Sequence, residues 1–227
     1  MASNSRRKTI SGIFFGSILL LSACNSNSTE EKKIEKKILS QHEMDSLAKE
    51  EKDSLRMAAL KKTATFPFIN AGDGSGVLPV IGIDEIPDPN KEYNLLFGFS
   101  RGAEDTTNTK VNPGLIEIAR VWNLHVASGI PANHIHIVIL AHGKSLFSLL
   151  NQEAFKKKYK KENPNNKLIG QMMTRGAKFI SCGQAMQFLE IKKEDLHDGI
   201  KVALTAQVVK SNYIEQGYVL YEIEGDD

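Results

Sequence analysis

The sequence predicts an α/β fold: an open, mainly parallel sheet of about five strands with helices on both faces, preceded by a charged tether. Three observations predict it. Short apolar runs recur after Lys91, at Tyr93–Phe99, Ile135–Ala141, Lys178–Ser181, Ile200–Leu204 and Tyr218–Ile223. The stretches between them place apolar residues at helical spacing. The run Ile-His-Ile-Val-Ile-Leu-Ala at 135–141 is apolar on both faces apart from His136, the pattern of a strand covered from each side. Strands alternating with helices pack as a parallel sheet between helical layers.

Each element has a local cause. Between Gly114 and Ser128, Leu115, Ile118, Ala119, Trp122 and Val126 form one helical stripe. A turn at His142-Gly143-Lys144 leads into a helix expected over Ser145–Lys161. A further helix, Leu168–Arg175, stops at Gly176, a good C-cap. The third strand ends at Cys182-Gly183 and Gln184–Leu189 is short and helical. Ala206–Glu215 is a helix closed by Gly217 before the last strand. In such sheets ligands bind beyond the carboxyl ends of the strands. The segments Ser100–Pro113, His142-Gly143 and Cys182-Gly183 are expected to meet there.

The N-terminus carries a different signal. Arg6, Arg7 and Lys8 precede an uncharged run, Ile10–Ala23, of 14 residues, short of the ~20 needed to span a bilayer. It ends in Leu21-Ser22-Ala23-Cys24, which resembles the bacterial lipobox. Residues 1–23 are therefore expected to be a lipoprotein signal peptide, with Cys24 lipidated by palmitate or a similar acyl chain and the lipid membrane as first partner. Asn25 stands where enterobacterial lipoproteins retained on the inner membrane carry Asp, which points to the outer membrane, facing the periplasm. Loss of three basic residues takes the formal net charge from +2 to −1, so nothing in the charge balance favours nucleic acid. Cys24 spent on lipid also leaves Cys182 without a disulfide partner in its own chain.

Residues 24–62 mix both charges without Pro or Gly, as in Glu30-Glu31-Lys32-Lys33 and Lys49-Glu50-Glu51-Lys52, and read as a helical or disordered tether. Residues 63–90, with Phe66-Pro67-Phe68, Gly72-Asp73-Gly74-Ser75-Gly76 and Pro87-Asp88-Pro89, read as an extended arm with a turn at the glycines. Those glycines lack the full spacing of a phosphate-cradling loop. The folded domain then spans 91–227.

Cys182 is the first candidate for chemistry, because it ends a strand where a helix begins and unpaired amides there favour a thiolate. A buried, space-filling cysteine is the alternative. His142 ends the second strand as Cys182 ends the third, so it can serve as base or ion-pair partner if those strands are neighbours. His134 and His136 share its parity, but His-x-His with a distant cysteine is a weak metal pattern, and no metal or cofactor is expected. The long polar loop from Ser100 to Asn108 reads as a binding lip, with Arg101 and Asp105 as its candidates. Gly143, Gly183 and Gln184 complete the expected binding set. The lysines of 156–161 read as a solvated helix end.

With these elements placed, the chain from about Pro87 to Ile223 resembles the DsrE/DsrF-like sulfur-relay family, and in particular its exported members. The resemblance rests on Pro87-Asp88-Pro89-Asn90-Lys91-Glu92-Tyr93, on Ile137 through Gly143, and on Asn163-Pro164-Asn165. It extends through Ile180-Ser181-Cys182-Gly183-Gln184-Ala185-Met186, Gly199-Ile200-Lys201-Val202-Ala203 and Gln216-Gly217-Tyr218. It implies a flavodoxin-like subunit that forms small homo-oligomers, and it sets Cys182 where relay members carry persulfide sulfur. Gly-Gln-Ala-Met-Gln follows the cysteine here, in place of the small-residue and Arg-Arg-Gly run of the relay subunits. The expected ligand is a small sulfur or thiol species. The alternative is a non-catalytic module that binds a small ligand or protein, with Cys182 structural.

Overall fold

A computed structural model describes residues 27–103 and 109–225, with side chains from residue 43 on. The expected signal peptide and Cys24 lie outside the described residues. The chain divides into a unit ending at Leu55 and a second beginning at Arg56. Helix α1 (Asn27–Thr63) shows no apolar face, and Met44, Leu47, Leu55 and Met57 are all exposed on it. No described helix is long and apolar enough to cross a membrane.

The second unit holds five strands: β1 (Tyr93–Phe99), β2 (Ile135–Ala141), β3 (Lys178–Cys182), β4 (Lys201–Ala203) and β5 (Val219–Ile223). They form one all-parallel sheet in the order β4-β3-β2-β1-β5. This is the open, flavodoxin-like α/β sheet that the sequence predicts. The connecting helices are α2 (Pro113–Ala127), α3 (Gln152–Tyr159), α4 (Asn166–Thr174), α5 (Gly183–Phe188) and α6 (Ala206–Glu215).

Strand alternation divides the apolar residues into two layers. Leu95, Phe97, Phe99, Ile137, Ile139 and Phe179 face the larger layer, with Ile118 and Trp122 of α2 and Phe155 of α3. Leu96, Val138, Leu140, Ile180 and Cys182 face the smaller one, beneath Ala206 and Val209 of α6. Burying a large aliphatic or aromatic side chain stabilises by about 1.5–3 kcal/mol, so the larger layer dominates the stability of the fold.

One expected helix is corrected. The stretch over Ser145–Lys161 is broken: a 3-10 segment, Gly143–Leu149, ends where Leu150 turns extended, and α3 starts afresh after Asn151. The break is bonded on both sides. Leu150 pairs with Leu196, and the Asn151 side chain caps α3 by accepting from Ala154 N at 2.8 Å.

The arm is tied to the domain by a residue of α2. Buried Asn123 accepts from the N–H groups of Phe68 and Ile69 and donates to the carbonyls of Ile69 and Ser75. Phe68 packs on Trp122, ring centroids 4.9 Å apart.

Candidate functional site

The sheet register places the two leading candidates side by side. Ala141 pairs with Ser181 in the last step between β2 and β3, so His142 and Cys182 each directly follow that step on neighbouring strands. Leu140, Ile180 and Cys182 face the α6 layer, and His142, still extended, continues the alternation onto that face. The His142 N–H donates to Phe99 O at 2.9 Å, which ties the strand end to β1.

Cys182 is free, and 6% of its surface is exposed. Its Sγ accepts from Ala206 N at 3.3 Å, and Ala206 is the first residue of α6. The helix whose N-terminus meets the sulfur is thus α6, which follows the neighbouring strand β4, and not α5, which follows the cysteine directly. The α5 end is occupied otherwise: Gln184 N donates to Leu204 O. An amide of the first turn of a ten-residue helix is the donor a developing negative charge on sulfur would use. Gly183 is required here by close approach, since a Cβ would stand 2.8 Å from Ala203 O on β4.

Further along the same face lies a charged pair that sequence reasoning missed. Gly98, Leu140 and Glu222 share one step of the register. The Glu222 carboxylate lies over Gly98, where any Cβ would collide with it, and pairs with Lys210 of α6 at 2.5 Å. His142 feels both charges. Its pKa is held below the ordinary histidine value first by burial and then by Lys210, while Glu222 and Glu224 pull it upward. His142 is accordingly neutral at pH 7 and able to accept a proton. A glycine in the middle of an apolar strand was the available signal for the carboxylate.

The other expected site residues are distributed around the strand ends. Gly143 takes φ +58 at the turn, a backbone conformation that favours glycine. Arg101 follows β1, its N–H donating to Ile223 O at 3.1 Å and its carbonyl accepting from Asn112. Gln184 is exposed on α5. Asp105 lies outside the described residues. His134 and His136 sit at the opposite, amino end of β2, beside Pro89 O and Glu92 respectively. Among the described residues no group of His, Cys, Asp or Glu is arranged to hold a metal.

A buried asparagine network, also invisible in the sequence pattern, fixes the opposite face. Asn112 donates through Nδ2 to Arg101 O and Ser148 Oγ, and its N–H donates to Asn165 Oδ1. Asn163 donates to the carbonyls of Ser148 and Leu150, and its Oδ1 accepts from both nitrogens of Asn165. The Asn163-Pro164-Asn165 motif therefore holds the Arg101 loop against the start of α2.

No curated protein matches the sequence. Among solved structures, a protein of unknown function from Methanobacterium thermoautotrophicum matches at 14% identity and a TM-score of 0.44, covering 58% of this chain and 100% of its own. The DsrE/DsrF-like family profile matches residues 94–221, from the second residue of β1 into β5. That interval contains the strand ends carrying His142 and Cys182, and more than half of the chain. The protein belongs to the DsrE/DsrF-like family.

Proposed function

We propose that this protein is a membrane-tethered, extracytoplasmic member of its family that handles sulfane sulfur or a thiol species through Cys182. The observation that carries the reading is the hydrogen bond from Ala206 N, at the α6 N-terminus, to the Cys182 sulfur. Beside it, His142 is neutral and able to take the thiol proton. The Cys182 thiolate attacks the terminal sulfane sulfur of a polysulfide. An S–S bond forms on Cys182 as one in the donor breaks, and the donor leaves as a shorter polysulfide anion. The zero-valent sulfur moves as such, so no external oxidant is consumed. An acceptor thiolate then removes it and restores Cys182.

The tether belongs to the same proposal. The leader ending at Ala23 and the acylated Cys24 put the domain outside the cytoplasm, on a lipid anchor, as a small homo-oligomer. Globomycin treatment with metabolic palmitate labelling tests the anchor. Label on the wild type and none on Cys24→Ser supports it, and an unlabelled wild type contradicts it.

The burial of Cys182 favours a second reading: a non-catalytic binding module in which the cysteine packs beneath α6. Polysulfide exposure followed by mass spectrometry separates the two. A gain of one sulfur on Cys182, absent in Cys182→Ser, supports transfer, and an unmodified folded protein supports the module.

A further inference from the structure

On the face of the sheet away from Cys182, a cavity of about 300 Å³ opens between Gly102, Ala103 and Lys110 on one side and the segment after β2 and α3 on the other. That size lies at the lower end of small-molecule pockets. Phe147, Phe155 and Tyr159 form its walls. Phe155 and Tyr159 stand 4.6 Å apart by ring centroid, and Lys158 caps Phe147 with its Nζ 4.6 Å from the ring centre.

The polar groups of this cavity are of one kind. Ser148 and Asn165, each 3% exposed, line it. The Ser148 oxygen accepts from Asn112, and its own O–H has no acceptor among the described residues. Asn165 uses its oxygen on Asn112 N and one amide hydrogen on Asn163, leaving the second hydrogen unused. Burial pushes the Tyr159 phenol up, which keeps it a donor. Lys110 and Lys144, both exposed, also line the cavity, and neither has a carboxylate partner among the described residues. Among the described residues, Ser148 and Asn165 each keep an unused side-chain hydrogen here, and the charges at the rim, Lys110 and Lys144, are positive.

We infer that this cavity is a binding site for a small aromatic oxyanion, with its ring against Phe147 and Tyr159 and its charge met by Lys110 and Lys144 above the donors of Ser148 and Asn165. Rings favour a flat aromatic body over an aliphatic one through offset and edge contacts. An oxyanion complements these unused hydrogens and the two ammonium groups. The site stands independently of sulfur chemistry at Cys182, which faces the other layer.

Isothermal titration of the full chain in mild detergent tests the inference, with indole-3-acetate and phenyl phosphate as probes and indole-3-acetamide as the neutral control. Saturable one-to-one binding of at least one anion is expected, tenfold or more tighter than the amide. The double variant Lys110→Met/Lys144→Met is expected to lose tenfold or more, while Lys201→Met and Cys182→Ser bind as the wild type does. No saturable binding by either anion, equal binding of the amide, or full binding by the double lysine variant would each overturn it. Loss of binding in Cys182→Ser would place the ligand on the other face and overturn it as well. Failure of sulfur transfer at Cys182 would leave this result untouched.

Discussion

At the carboxyl ends of the same strands, the two faces of the sheet are built for opposite ends. On the α6 face, Cys182 is sealed beneath the first turn of a helix, and the nearby charges pair with each other, Lys210 with Glu222 over Gly98. On the α3 face, aromatic walls enclose an open cavity in which Ser148 and Asn165 keep unused hydrogens and two lysines have no carboxylate partner among the described residues. The nucleophile and the aromatic-walled cavity therefore need not coincide. A thiol that meets only small sulfur species needs little access, whereas a site that recognises a ring needs volume.

The largest expected effect comes from breaking the asparagine network. Asn163→Ala removes the side-chain donor to the carbonyls of Ser148 and Leu150 and the acceptor of both Asn165 nitrogens. At about 1–3 kcal/mol for a buried group left unsatisfied, denaturant unfolding should report a loss of about 2–4 kcal/mol. Oxyanion binding should fall with it, while the native fraction keeps the Cys182 labelling rate of the wild type. Equal loss on both faces would contradict their independence.

Gly183→Ala attacks the other face. A Cβ 2.8 Å from Ala203 O pushes β4 away from β3, at about 1–3 kcal/mol for overpacking. Iodoacetamide labelling of Cys182 should accelerate, because the cover formed by the β4–α6 corner loosens. An unchanged rate would show that the corner does not limit access.

The pH dependence is smaller and has a definite sign. The folded pKa of His142 lies below its unfolded value, so the unfolded state binds the proton more readily. The contribution of His142 is present above the ordinary histidine range and declines as pH falls through that range towards the folded value. Denaturation midpoints of wild type and His142→Gln should converge on acidification, and parallel curves would exclude His142 as the cause. Smallest of all, Lys210→Met should raise the His142 titration midpoint by NMR and Glu222→Gln should lower it, both modestly because the charges are partly exposed. Shifts in the reverse directions would place His142 away from the pair.

The strands were legible because β1 and β2 carry apolar residues on both faces in short runs bounded by turns, broken only by Asn94 and His136 near their starts. Helix α6 was legible from its glycine stop at Gly217, while its Thr205 cap emerged only in the structure. The false helix across Leu150 arose because Leu146, Leu149 and Leu150 keep helical spacing through a break that is set by pairing with Leu196, 46 residues away. In the candidate site, residue types with intrinsic chemistry, Cys182 and His142, stood out. Gly98 with Glu222, Asn123 under the arm and Asn112 with Asn163 did not, since each acts through partners brought in by the fold.

Mass spectrometry of the folded protein after brief exposure to polysulfide tests the central claim most directly. The account predicts one added sulfur on Cys182, slowed in His142→Gln and absent in Cys182→Ser. An unmodified Cys182 in the folded chain, with ready modification once unfolded, would contradict it and leave the cysteine as packing beneath α6.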